Sequence, residues 1–204
     1  MKRFLLLLVF LSQSVFADDS YLIDDSLAMA RQGEFVRASN LIVDLANNGD
    51  STAQYVLSMY FRDPNALNIP EVGEMWLMRA AENNNAKAQY DLGWRLAAGW
   101  KNDTVEDIVE MIYWFERATF NGSDDAYANL ATLYDNEHRN VLLEMEVAAN
   151  NGNAMAQFNL GWINARGLVS SEGLMQDMDV AKAWFEKSAK LGFKDAVEVL
   201  QNNF

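Results

Sequence analysis

The chain has 204 residues, with 16 Lys or Arg against 29 Asp or Glu, one His and no Cys, for a formal charge of −13. Without cysteine it has neither disulfides nor thiolate metal sites, so packing alone must hold it together. A surface this acidic repels phosphate backbones and anionic lipid heads. That argues against nucleic acid and for a protein partner, one with a basic or extended segment.

The amino end reads as a secretory signal peptide over residues 1–17. Lys2 and Arg3 are positive, Phe4 to Leu11 is an unbroken apolar run, and Val15-Phe16-Ala17 suits cleavage after Ala17. The run would extend about 12 Å as a helix, against roughly 30 Å of hydrocarbon, so no membrane insertion is expected once it is removed. Residues 18–204 are then expected in the periplasm or outside the cell.

The remainder repeats itself. "NAKAQYDLGWRLAAG" (Asn85 to Gly99) returns as "NAMAQFNLGWINARG" (Asn153 to Gly167), with nine of fifteen letters identical. In chain order, residues 20–49 read as a degenerate first helix pair, turning at Gly33-Glu34-Phe35. "TAQYVLSMYF" follows at Thr52 and "EMWLMRAAENN" at Glu74. "NAKAQYDLGW" is paired with "IYWFERATFNG" from Ile112, and "DAYANLATLY" from Asp125 with "LLEMEVAANNG" from Leu142. "NAMAQFNLGW" is paired with "KAWFEKSAKLG" from Lys182, and Leu191 to Phe204 is left as one capping helix. Apolar residues recur at helical spacing and strand alternation is absent. Pro64 and Pro70 fall between segments, where proline is tolerated. Leu57, Leu92, Leu130, Leu160 and Leu200 share a register and are expected in matching layers, with Trp76, Trp114 and Trp184 as core of the second helices. Gly93 and Gly161 sit inside helices, where Gly costs about 1 kcal/mol relative to Ala. Paying that cost twice at matched positions signals close helix approach. One hairpin cannot bury enough apolar surface alone, and stacked copies can.

The pattern A-x-A-Q-[YF]-x-L-G, then G, then D-x-x-x-A-x-x-W-[FY]-x-[KR]-[AS]-A-x-x-G, resembles the Sel-like repeat, a relative of the tetratricopeptide unit. Ala156-Gln157-Phe158, Leu160-Gly161, Gly167, Asp179 (or equally Asp177), Ala183, Trp184-Phe185, Lys187, Ala189 and Gly192 carry the likeness best. It covers about residues 50–200 and is weak over 124–152, where the aromatic is missing. The loop Leu168 to Gln176 is longer than the family's usual one. The resemblance implies an all-α, right-handed α-solenoid of stacked antiparallel helix hairpins with a concave inner wall. It also implies a non-enzymatic adaptor that holds other proteins. An accessory subunit of an envelope machine, a flagellar motor or secretion apparatus, is the alternative it suggests.

Chemistry has few candidates. His138 is alone, whereas a metal site wants several converging ligands. The chain has no H-E-x-x-H, G-x-S-x-G, Ser-x-x-Lys or phosphate loop. The paired acids Asp18-Asp19, Asp24-Asp25 and Asp124-Asp125 point about 100° apart on a helix, so an envelope-polymer hydrolase ranks last. No cofactor and no metal are expected. By analogy with tetratricopeptide units, the inner wall selects Tyr90, Trp94, Phe158 and Trp162, with Arg95 and Arg62 nearby, as a protein-binding groove. The competing expectation is that these rings are core.

Overall fold

The computed structural model describes residues 19–98, 104–134, 139–167 and 176–204. Residues 1–17, on which the signal-peptide expectation falls, His138 and most of the long loop after Gly167 lie outside them. Among the described residues there are eleven helices and no strand. They are α1 (Ser20–Arg31), α2 (Phe35–Asn47), α3 (Ser51–Arg62), α4 (Pro70–Glu82), α5 (Ala86–Ala97), α6 (Val105–Phe120), α7 (Asp124–Leu133), α8 (Arg139–Asn150), α9 (Ala154–Arg166), α10 (Met178–Lys190) and α11 (Lys194–Asn203). Among the described residues the fold is all-α, built from successive helix hairpins. Two compact units divide between Asn83 and Asn84.

The repeated letters have local causes. Asp50, Asn85, Ser123 and Asn153 each precede a first helix of a hairpin. Each accepts a hydrogen bond from the backbone N–H three residues on, at Ala53 (2.7 Å), Ala88 (3.0 Å), Ala126 (3.2 Å) and Ala156 (2.9 Å). A side-chain oxygen there satisfies a donor that the helix cannot. The alanines that receive this cap are all fully buried. The turn ahead of each cap needs a left-handed residue. Gly49, Gly122 and Gly152 supply it, and Asn84 fills the same slot at φ 64°.

The glutamine of the motif staples layers together. Gln54 Nε2 donates to Ala46 O, and Gln157 Nε2 donates to Ala149 O, both at 2.8 Å, each reaching the end of the preceding helix. On the other side, Gln54 Oε1 accepts from Asn83 Nδ2 and Gln89 Oε1 from Asn121 Nδ2, both at 2.9 Å. A buried amide thus joins the ends of neighbouring hairpins and leaves few polar groups unpaired.

In the first unit α1 packs on α2, α2 on α3 and α3 on α4. Ile42, Leu57, Tyr60 and Trp76 centre its core. Ser26 Oγ, buried, donates to Ala38 O at 2.9 Å and meets Tyr60 Oη at 3.1 Å, tying three helices. The segment 20–49 is therefore a full hairpin that shares one core with α3 and α4.

In the second unit α6 is the hub, meeting α5, α7, α8 and α9. Here the structure departs from a plain stack of successive pairs, because α6 reaches past the α7–α8 hairpin to α9. Asn159, buried in α9, donates to Val109 O of α6 at 2.8 Å. The intervening hairpin is the one whose second helix lacks the repeat's tryptophan and carries Glu144 in its place.

Two of the helical glycines, Gly93 and Gly161, are matched to one ring each. A Cβ on Gly93 would stand 2.7 Å from Phe115, and one on Gly161 would stand 2.5 Å from Phe185. Phe115 and Phe185 are buried, and each directly follows the repeat's tryptophan. So the residue after Trp, rather than Trp itself, fills the centre of each pair. Trp76 and Trp114 are buried too, but Trp184 is half-buried beneath Lys187, whose Nζ lies 3.7 Å from its ring centroid. The leucine register is likewise uneven. Leu57, Leu130 and Leu160 are buried, whereas Leu92 and Leu200 are half-buried.

Candidate protein-binding cleft

The second unit holds a cleft of about 150 Å3 that brings together four segments distant in sequence. The C-terminal turn of α6 contributes Arg117, Phe120 and Asn121. α9 contributes Phe158 and Trp162, and α11 contributes Asp195, Glu198, Val199 and Asn202. Asn84 enters from the turn before α5 and Asn203 from the end of α11.

One wall is aromatic. Phe158 is only 2% exposed. Its ring centroid lies 5.2 Å from Phe193, 5.6 Å from Phe185, 6.0 Å from Tyr113 and 6.3 Å from Trp162. Phe158 is thus the anchor of a ring cluster and lends the cleft little more than its floor. Trp162 is half-buried, and its neighbour Phe120, 5.4 Å away, is 60% exposed. The Arg166 guanidinium stands 4.9 Å from the centre of the Trp162 ring. An exposed phenylalanine beside a tryptophan is a surface that gains from being covered.

The other wall is polar and internally ordered. Arg117 Nη1 donates to Asp195 Oδ2 at 2.6 Å and to Tyr113 Oη at 2.8 Å. Its Nη2 donates to Asn84 Oδ1 at 2.5 Å, and Tyr113 Oη donates to Asp195 Oδ2 at 2.9 Å. Burial pushes the Tyr113 phenol up to about 12, so it stays a donor at every physiological pH. Burial pulls the Arg117 guanidinium down, but Tyr113, Asp195 and Glu198 outweigh it and hold its pKa above the ordinary value. The network fixes α11 against α6 and leaves the Arg117 charge compensated.

The sequence-selected residues fall into separate places. Phe158 and Trp162 line this cleft. Tyr90 and Trp94 form their own stacked pair on α5, with centroids 6.4 Å apart and planes 9° from parallel; Trp94 is 54% exposed, and Tyr90 also leans on Phe115. Arg95 is exposed on the same helix, and Arg62 belongs to the first unit. Sequence reasoning missed Arg117, Phe120, Asp195, Glu198 and the asparagines. The signals available for them were the Arg of "WFER" and the acid–asparagine run of "DAVEVLQNN".

A second charged group lies deeper. Glu116 of α6 is fully buried, paired with Arg166 of α9, and its Oε1 accepts from Tyr134 Oη at 3.5 Å. Burial raises the Glu116 carboxyl to about 7 against the opposing pull of Arg166 and Tyr134. Burial also raises the Tyr134 phenol. This group pins α6, α9 and the end of α7 together. Among the described residues no cluster of three or more His, Cys, Asp or Glu is placed to hold a metal, and no helix is long and apolar enough to cross a membrane.

Comparison with known proteins places the chain. The Sel1 repeat model matches residues 86–119, which are α5 with nearly all of α6, and residues 154–193, which are α9, α10 and the following turn. A Sel1 repeat protein from Oxalobacter formigenes is similar at 23% identity and a TM-score of 0.48, over 84% of this chain and 72% of that one. A protective antigen of uropathogenic Escherichia coli strains displaying an SLR fold is similar at 26% identity and a TM-score of 0.41, over 79% of this chain and 35% of that one. These are loose likenesses. No curated protein matches the chain. Sel1-repeat folds commonly serve as protein-interaction scaffolds. Both matched segments, 86–119 and 154–193, are built as the same capped, glycine-notched helix pair and are similar to the Sel1 repeat.

Proposed function

We propose that this protein is a non-enzymatic, exported adaptor that holds a segment of another protein in the cleft between α6, α9 and α11. The observation carrying this reading is the pairing of exposed Phe120 and half-buried Trp162 with a polar wall fixed by the Arg117–Asp195 network. Aromatic side chains held rigidly beside oriented polar groups are the residues that dominate peptide-binding energetics. The stacked Tyr90–Trp94 pair, with Arg95, is a second contact point for the same partner class. Export rests on Lys2, Arg3, the run from Phe4 to Leu11 and the cut after Ala17.

Random 12-residue peptides selected on the full chain test the reading. The selected peptides should lose at least about tenfold in affinity for Phe120→Ala and Trp162→Ala, a change of roughly 1.4 kcal/mol. Phe120→Ala, altering an exposed ring, should retain the parent melting temperature. Peptides indifferent to both variants would place recognition elsewhere. Amino-terminal sequencing of the exported form should begin at Asp18.

A further inference from the structure

The cleft has a bias in charge and in hydrogen bonding. Its titratable lining is Arg117, Asp195 and Glu198, one cation against two carboxylates. Arg117 donates to Asp195, Tyr113 and Asn84, and it lies within the field of Glu198. Arg166 is not among the lining residues and is paired with buried Glu116. One negative charge is therefore in excess at the rim, within a chain whose formal charge is already −13.

Two of the asparagines tilt the same way. Asn121 Nδ2 donates to Gln89 Oε1 at 2.9 Å and to Arg117 O at 3.1 Å, which uses both of its protons. Asn203 Nδ2 donates to Val199 O at 3.1 Å. These two amides commit donors to the protein, whereas Asn84 Oδ1 is taken by Arg117 Nη2. A cleft carrying surplus negative charge among its lining residues and walled by Phe120 and Trp162 suits a planar group with many donors and one positive charge. Guanidinium has five N–H donors and stacks on aromatic rings, whereas ammonium is a compact, strongly hydrated charge.

We propose that the cleft takes an arginine side chain of the partner, with Glu198 as its carboxylate and the Phe120–Trp162 wall as its stacking surface. This rests on the adaptor reading above and specifies the partner's chemistry. The test uses the full chain and two probes that differ chiefly in charge, N-acetylarginine methylamide and N-acetylcitrulline methylamide. Binding is followed through the side-chain NMR signals of Trp162, Asn121 and Asn203. The arginine probe should bind about tenfold tighter than the citrulline probe, as expected for one charge-assisted hydrogen bond. The lysine analogue should fall between them. Glu198→Gln, an exposed substitution, should erase the arginine preference and leave the melting temperature unchanged.

Equal affinity of the arginine and citrulline probes, or an arginine preference that survives Glu198→Gln, would overturn the inference. So would arginine-dependent shifts confined to other residues. In those cases, library-selected peptides that still depend on Phe120 and Trp162 would leave the adaptor reading standing. Peptides that ignore both rings would remove it as well.

Discussion

Gly161 and Gly93 show how a single missing methyl group sets a helix pair. Ala at either site gains about 1 kcal/mol of helix propensity. It also places a carbon 2.5 to 2.7 Å from a buried phenylalanine ring, and overpacking of that kind costs about 1–3 kcal/mol. Packing should win, so Gly161→Ala should lower the urea-unfolding free energy by about 1–2 kcal/mol. Adding Phe185→Leu should recover part of that loss, and a double-mutant cycle would detect the coupling. Glu116 gives a pH dependence. Its carboxyl titrates near 7 in the folded chain, above the ordinary 4.5, so between those values the folded state binds more protons than the unfolded one. The contribution of this group is fully present below about pH 4.5 and is lost as pH rises through 7. Unfolding measured in parallel on the parent chain and Glu116→Gln should show the parent losing stability relative to the variant over that window. A pH-independent difference would contradict the assigned burial.

Helices and turns were the most legible scale. The recurrent N-A-x-A-Q encodes a cap, a buried alanine at the third helical position and an interlayer glutamine. Each letter does local work, so each can be read locally. Asn153→Ala should cost about 1 kcal/mol by loss of its cap. Gln157→Ala should cost about 1 kcal/mol, because it removes one of the two hydrogen bonds to Ala149 O and leaves the one from Gly152 N–H. What the letters conceal is which member of an apolar pair faces inward. Trp is the conspicuous residue of "AWFEK", yet Phe185 takes the buried place and Trp184 lies half-open under Lys187. A 100° rotation between adjacent residues separates the two, and periodicity alone does not resolve it. Nor did the register of leucines foretell that α6 would bypass a weak hairpin to reach α9. That contact depends on Asn159 and on a Glu–Arg pair 50 residues apart, Glu116 with Arg166.

At the scale of the molecule, the division between Asn83 and Asn84 leaves the two matched Sel1 repeats within the second unit. The candidate cleft belongs wholly to that unit. It was half legible. The tetratricopeptide analogy selected Phe158 and Trp162, and both line it. The analogy could not supply Asp195 and Glu198, because they come from a capping helix beyond the matched repeats. It also could not distinguish a ring at the surface from one in the core, since Phe158 and Trp94 share a helical pattern and differ in burial. The decisive measurement is site-specific photo-cross-linking from the cleft, with benzoylphenylalanine at position 120 of the full chain. The account predicts a covalent adduct to one partner protein, mapped to a segment containing arginine and abolished when Glu198→Gln is introduced. An adduct that persists unchanged with Glu198→Gln, or one obtained only from positions outside the cleft, would contradict it.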